Sequence, residues 1–187
     1  YATVLRHEVN QGKGQALKTA FSYIQEQNIY GTVVTADADG QHKIWDIFRT
    51  ANKASENPNK LILGVRAFTG KVPLRSRFGN SLTKALFKLQ TGVGVTDTQT
   101  GLRAFTTNLI PFMLKIEGKR YEYEMNMLLE ATKEYEIVEV PIETVYINDN
   151  EASHFRPIRD GLMIYKNILK FALSSLSSFV VDYIVYA

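Results

Sequence analysis

The sequence of 187 residues predicts an α/β sandwich built on a mostly parallel sheet. Short runs of apolar and β-branched residues recur along the chain, stretches with apolar positions at helical spacing separate them, and turn residues punctuate the junctions. With 45% hydrophobic and 22% charged residues, there is enough apolar material for one domain with a real core and an appendage. The chain opens strand-like from Tyr1 to His7. Ala16, Leu17, Ala20, Phe21 and Ile24 then follow helical spacing to about Gln27, directly after Asn10 to Gly14. Gly31 punctuates, and Thr32 to Ala36 reads as a short buried strand running into Asp37-Ala38-Asp39-Gly40-Gln41-His42. A helix is expected from Ile44 to Ala54, a strand from Leu61 to Val65, a helix from Ser81 to Leu89, and short extended pieces at Val93 to Val95 and Ala104 to Thr106. Tyr123 to Glu134 is helical in pattern. Glu136 to Ile147 alternates, with Val138, Val140, Ile142 and Val145 on one face, and Pro141 points to an edge position. Folds of this class bind ligands beyond the carboxyl ends of their strands.

From His154 the character changes. Ile158, Leu162, Tyr165, Ile168 and Leu169 recur at helical spacing with Arg159, Lys166 and Lys170 among them, the pattern of a helix lying on an anionic membrane surface. Residues 171–187 carry Asp182 as their only charge. As a helix they span about 26 Å against roughly 30 Å of hydrocarbon, and they read as the start of a transmembrane helix. The organisation expected is thus a globular domain at 1–153, an amphipathic juxtamembrane helix at 154–170 and a membrane segment from 171. The alternative is that both helices pack on the domain, which the serines at 174, 175, 177 and 178 keep open. The sequence starts inside a strand-like run without an initiator Met and stops in an apolar one, so it is expected to be part of a longer polypeptide.

The formal charge of +3 argues against a nucleic-acid coat and predicts no nucleic-acid partner. It is a sum of blocks. Residues 57–96 hold seven basic side chains and no acid, whereas 117–151 hold ten acids against Lys119, Arg120 and Lys133. There is no cysteine, which excludes disulfides, a thiolate nucleophile and cysteine-ligated metal, so any metal must use oxygen or imidazole ligands. His7, His42 and His154 show no zinc-ligand spacing and no arrangement for a nucleophilic triad.

Asp37 and Asp39 form the sharpest local signal. In an extended chain, carboxylates at i and i+2 point the same way, so both can face one divalent cation, and Gln41 can add a carbonyl oxygen. Hard oxygen ligands suit Mg²⁺ or Mn²⁺ on a diphosphate; a solvated turn pair is the plainer alternative. In the basic block, Arg66 follows a strand, and Arg75, Ser76 and Arg77 precede a helix, where guanidinium groups and backbone N–H groups hold phosphate. Lys84 and Lys88 suit an ordinary solvated helix face. Asp97 to Arg103 is a turn with an acid, hydroxyls and a glycine, equally readable as a loop with an Asx-turn. Glu122 and Glu124 open a helix, where its dipole favours acids in any case, and a role near a sugar is the alternative. Lys13 lies between two glycines at a helix start and can reach a phosphate or a ribose, without the longer pattern of a Walker loop.

Taken together, Asn10 to Leu17, Asp37 to His42, Gly64 to Arg66, Ser76 to Asn80, Asp97 to Arg103 and Tyr121 to Glu124 resemble, in order and spacing, the family 2 glycosyltransferases. The match is nearest to the branch of dolichol-phosphate mannosyltransferases and polyprenyl-phosphate glucosyltransferases, and it extends to about residue 160. The resemblance implies a GT-A fold, a nucleotide-diphosphate sugar donor such as GDP-mannose or UDP-glucose, Mg²⁺ or Mn²⁺, and a polyprenyl phosphate acceptor. It implies a place at the cytoplasmic face of a membrane, and is compatible with a homo-oligomer. By the same carry-over Asp37, Asp39 and Gln41 hold the metal, and Lys13 and Glu124 join the two aspartates in donor binding. Arg66, Arg75, Ser76 and Arg77 handle the acceptor phosphate. Asp39, Asp97 and Arg103 form the catalytic set, the last two in the loop under the donor sugar, and His154, Arg156 and Arg159 close over the pyrophosphate. Two features depart from the family. Val72 stands where the mannosyltransferases place an arginine four residues before Ser76, and the strand and acidic turn that bind the nucleotide base would precede Tyr1, so this stretch alone is expected to be inactive.

Overall fold

The computed structural model describes residues 2–66, 83–85 and 87–143. Contacts group the chain into two units, 1–153 and 154–187, and all described residues belong to the first. The elements, in chain order, are helix α1 (Lys13–Glu26), strand β1 (Thr32–Thr35), helix α2 (Ile44–Glu56), strand β2 (Lys60–Arg66), strand β3 (Arg103–Thr106), helix α3 (Ile110–Lys115), helix α4 (Glu122–Glu134) and strand β4 (Glu136–Ile142). Residues 83–85 and 87–91 are helical as well, where the periodicity expects a helix.

The sheet order among the described strands is β1-β3-β2-β4. β2 and β4 pair in parallel from Lys60↔Glu136 to Arg66↔Ile142. β3 runs antiparallel to both neighbours, with Thr35↔Arg103 on one side and Leu63↔Arg103 on the other. The sheet is therefore mixed, a correction to the mostly parallel sheet expected: β1, β2 and β4 share one direction, but the short reversed strand β3 lies between β1 and β2. Two further expectations change. Residues 2–12 form no strand, and Val4 and Val9 stay exposed; an apolar run becomes a strand only where another strand takes its backbone hydrogen bonds. Residues 93–95 are not a strand either, because three residues between Gly92, at φ +71°, and the turn at 96–99 are too few to build a ladder. Helix α3 had no clear periodic signal in six residues; Pro111 suits its first turn, where no N–H is needed.

Side-chain alternation puts helices on both faces. Ala54 of α2 packs with Ile62 and Ala104, flanked by Val34, Val138 and Val140. On the opposite face, Phe21 of α1 meets Phe105 of β3 edge-on at 5.5 Å between ring centres. β2, covered on both sides, is buried from Leu61 to Val65 and reads as a continuous apolar run for that reason. β4 is an outer strand among the described ones, consistent with Pro141, which has no N–H to offer a ladder. Its far end is tied to α2: the Glu143 N–H donates to buried Asp46 at 3.0 Å, and Arg49 donates to the Pro141 carbonyl at 2.7 Å. Among the described residues no helix is long and apolar enough to cross a membrane. The expected juxtamembrane helix and membrane segment, and residues 144–147 of the expected strand to Ile147, lie outside the described residues.

α1 enters against the start of α4 with no room to spare. A Cβ at Gly14 would stand 2.4 Å from the Tyr123 Cβ, and one at Gly12, at φ +97°, would stand 2.5 Å from the Lys119 carbonyl oxygen. In an open helix Gly→Ala gains up to about 1 kcal/mol. Here Gly14→Ala is expected to lose about 1–3 kcal/mol through overpacking, read as a lower urea midpoint at unchanged slope; a raised midpoint would contradict this packing.

Candidate active site

The strands that share a direction end together, and their carboxyl ends bring the chemistry to one edge of the sheet. β1 ends at Thr35 and delivers Asp37 and Asp39, β2 ends at Arg66, and β4 ends at Ile142 beside Glu143. The reversed strand β3 begins at that same edge, so the turn before it, residues 97–101, closes the group. The cleft there is lined by Asp37, Gln41, His42, Arg66, Thr100 and Gly101, with Glu143 at its rim.

The turn is fixed from three sides. The Thr100 hydroxyl donates to the Gly64 carbonyl at 2.6 Å and accepts from the Leu102 N–H, while Gly64 N–H donates to the Leu102 carbonyl. Thr35 Oγ1 donates to the Gly101 carbonyl at 3.1 Å. Gly101 is thereby pressed against the Asp37 carboxylate, so closely that a Cβ there would lie 2.2 Å from Asp37 Oδ2. Only glycine leaves room for that carboxylate.

Lys13 crosses to the same carboxylate from the first turn of α1. Its Nζ lies 2.6 Å from Asp37 Oδ1 and 2.8 Å from Glu124 Oε2. Burial pulls the Lys13 ammonium down, but the charges of Glu124 and Asp37 and the hydrogen bonds to both outweigh it and hold it above its ordinary value. Asp39 uses Oδ1 to accept the Gln41 N–H at 3.0 Å, an Asx-turn that fixes the loop.

Beneath the cleft lie two buried charges. Asp97 has no exposed surface and accepts a two-pronged bond from Arg66, at 2.6 Å from Nε and 3.0 Å from a terminal nitrogen, as well as the Gln99 N–H. Arg103 is 1% exposed; it donates to the Thr100 carbonyl at 3.1 Å and to the Glu124 carbonyl at 2.6 Å, a strut between the turn and α4. Burial lowers the Arg103 pKa from its ordinary value, and the charges of Glu124 and Asp97 work against that fall. One terminal nitrogen of Arg103 and Oε1 of Glu124 are buried without a hydrogen-bond partner among the described residues. These two orphaned atoms belong to opposite charges, whose attraction offsets part of their desolvation.

The structure thus brings Lys13, Asp37, Asp39, Gln41, Arg66, Asp97, Arg103 and Glu124 to one edge of the sheet. It gives Asp97 and Arg103 buried positions under the cleft. Arg75, Ser76, Arg77, His154, Arg156 and Arg159 lie outside the described residues. Thr35 and Glu143 were not singled out by sequence, and His42 only as the last residue of the Asp37 to His42 string. Their contribution follows from strand register, and the only local hint was their position at the ends of apolar runs.

A divalent cation suits the donor set. Oδ2 of Asp37 and Oδ2 of Asp39 accept no hydrogen bond among the described residues, and no cluster of three His, Cys, Asp or Glu exists there that could hold a metal unaided. Magnesium and manganese are commonly held by one or two carboxylates, with phosphate oxygens and water completing the shell.

A mixed-sheet GT-A-like sandwich with an acidic pair just beyond the carboxyl end of β1 defines the class: a nucleotide-sugar transferase fold. Residues 2–114 match the model of glycosyl transferase family 2, and the chain belongs to that family. It is 34% identical over 148 residues to a UDP-N-acetylglucosamine–dolichyl-phosphate N-acetylglucosaminyltransferase of Methanococcus voltae, covering 76% of this chain and 59% of the relative. It is 29% identical over 175 residues to an uncharacterized protein of Methanocaldococcus jannaschii, covering 89% and 71%. The chain therefore spans less than two thirds of the first relative's length. In fold it resembles glucosyl-3-phosphoglycerate synthase from Mycobacterium tuberculosis, solved with Mn²⁺, uridine diphosphate and glucosyl-3-phosphoglycerate, with a TM-score of 0.61 at 16% identity over 89% of this chain and 56% of that one.

Since the Asp37 carboxylate rests on a bare Cα, Gly101→Ala in the full-length protein is expected to weaken Mn²⁺ binding about tenfold or more, about 1.4 kcal/mol, while the circular dichroism spectrum stays that of wild type. Unchanged Mn²⁺ affinity in a titration would mean that Asp37 holds no cation.

Proposed function

We propose that the full-length protein carries out an inverting, metal-dependent transfer of a hexose from a nucleotide-diphosphate sugar to a polyprenyl phosphate at the membrane surface. The observation that carries this reading is the Asp37 and Asp39 pair at the carboxyl end of β1, with Lys13 against it and Gly101 pressed beneath it. Family membership supports the reaction class. The name of the Methanococcus voltae relative supports a dolichyl-type phosphate acceptor, and adds UDP-N-acetylglucosamine to GDP-mannose and UDP-glucose as donors to test.

Asp37 and Asp39 would hold Mg²⁺ or Mn²⁺, with Gln41 beside them. When bound, the cation supplies neutralisation of the charge that grows on the departing nucleotide diphosphate. Lys13, anchored by Glu124, adds a positive charge at the same place. Arg66 at the cleft is proposed, together with Arg75, Ser76 and Arg77, to hold the lipid phosphate in line with the anomeric carbon, and direct displacement then inverts that centre. Arg103 and Asp97 serve from below, keeping the 97–101 turn and Arg66 in place.

A phosphate monoester is already an anionic nucleophile and needs no strong base to remove a proton. Around the cleft Asp37 is ion-paired with Lys13, Glu143 with Lys43, and Asp97 below with Arg66, whereas Asp39 has no ion pair among the described residues and is proposed to be taken up by the metal. For the region outside the described residues, His154, Arg156 and Arg159 are proposed to close over the pyrophosphate. Residues 154–187 are proposed to hold the protein on the cytoplasmic face of the membrane, and self-association is compatible with this arrangement.

In the full-length protein, Asp39→Ala is expected to lower Mn²⁺-dependent transfer to polyprenyl phosphate by on the order of 100-fold or more, with unchanged circular dichroism, and the wild-type product is expected to carry the inverted anomeric configuration by NMR. Turnover retained in the variant, or a retained configuration, would refute the reading.

A further inference from the structure

Lys13 occupies the place where a cation is needed. Its ammonium lies 2.6 Å from Asp37 Oδ1, so one oxygen of the proposed metal-binding carboxylate is already bonded to a positive charge. The contact is not a loose surface pair. Lys13 extends from the first turn of α1, whose entry is fixed by the close approach of Gly12 to Lys119 and of Gly14 to Tyr123, and by the Gln15 N–H donating to the Lys119 carbonyl at 2.9 Å. The same loop leads into α4, whose first turn carries Glu124, the second anchor, at 2.8 Å from Nζ. Glu124 is itself held through its backbone carbonyl by buried Arg103. The ammonium is thus suspended between two carboxylates on separate, firmly packed elements, and it can lean toward either without losing both.

We infer that Lys13 is a built-in placeholder for the divalent cation: it holds Asp37 when the site is empty and shifts its bonding to Glu124 and to the incoming diphosphate when the metal binds, so that metal alone binds weakly and metal with diphosphate binds well. A divalent ion and an ammonium on one carboxylate repel at short range where solvent screening is weak. The cation must therefore compete with Lys13 for Asp37. Glu124 Oε1, buried and without a hydrogen-bond partner among the described residues, gives Lys13 a spare acceptor atom on its second anchor. A diphosphate brings negative charge that draws the ammonium off Asp37, and by linkage each ligand then raises the affinity for the other by the same factor. Lys13 is on this account a positioning residue that makes donor and metal arrive together. The inference rests on the metal-binding reading of Asp37 and Asp39.

The test is Mn²⁺ binding to the full-length protein, followed by electron paramagnetic resonance of the free ion, without sugar donor and so without turnover. Lys13→Met is expected to bind Mn²⁺ alone at least tenfold more tightly than wild type. Inorganic pyrophosphate is expected to tighten Mn²⁺ binding markedly in wild type and much less in the variant. Lys13→Gln, which keeps a polar tip for Glu124, is expected to behave alike and covers the case in which the Met variant does not fold. Equal or weaker Mn²⁺ affinity in the folded variants, or an undiminished pyrophosphate effect, overturns the inference. Asp37→Asn in both backgrounds separates the two claims: it should weaken Mn²⁺ binding in each, and if it changes neither, the metal reading falls and the inference with it.

Discussion

The Asp37 carboxylate lies on the bare Cα of Gly101, and the rest of the site is arranged around that contact. For the two to touch, the turn at 97–101 must be pinned where β1 and β2 end. Thr100 does this by bonding the Gly64 carbonyl, and Thr35 does it by bonding the Gly101 carbonyl. The reversed direction of β3 is part of the same constraint. Only a strand that begins at the edge where its neighbours finish can place the turn before it against Asp37. A parallel strand would put that turn at the opposite edge of the sheet. The local departure from a parallel sheet is therefore what builds the floor of the cleft.

Under that floor, the charges form one connected set. Arg103 ties the Thr100 carbonyl to the Glu124 carbonyl, Glu124 ties Lys13, and Lys13 ties Asp37. Arg66 and Asp97 stand alongside as a two-pronged pair. Burying so many charges is costly unless each is paired, and removing one partner strands another. That arrangement trades stability for position: apolar residues would fill the same space at less cost, but they would not aim two carboxylates and an ammonium at one point. The proposed transfer from a nucleotide sugar would give that aim a purpose, since charge neutralisation at the diphosphate is the demand such a reaction makes.

Much of the fold was legible because the periodic signals are strong where the core is thick. β2 reads as an unbroken apolar run since it is buried on both faces, and α1, α2 and α4 show their inward stripes. Direction and pairing of strands leave no such trace, so the reversal of β3 could not be seen in Ala104 to Thr106. Residues 2–7 carry strand-like composition but take no strand partner among the described residues, and composition does not say whether one is present. At the site, Asp37 and Asp39 were visible because their spacing is itself the signal. The bridge from Lys13 to Asp37 and Glu124 spans 24 and 111 positions, and only the packing of α1 against the start of α4 brings it about. Arg103 was expected in the loop under the donor sugar, and its bonds to the Thr100 and Glu124 carbonyls, which tie that loop to α4, have no trace in the sequence.

The near-neutral total charge of the chain conceals this division of labour. Cationic and acidic blocks are separate along the sequence, yet the fold interleaves them at the cleft, Arg66 against Asp97 and Lys13 between two acids. The account stands on one geometric claim, that a divalent cation and a diphosphate take over the Asp37 end of β1. A crystal structure of the full-length protein grown with Mn²⁺ and a nucleoside diphosphate tests it most directly. The expected result is Mn²⁺ on Asp37 and Asp39, diphosphate oxygens completing its shell, and Lys13 Nζ moved off Asp37 toward Glu124 and the phosphate. Nucleotide and metal bound elsewhere, with the Lys13 to Asp37 contact intact, would contradict it.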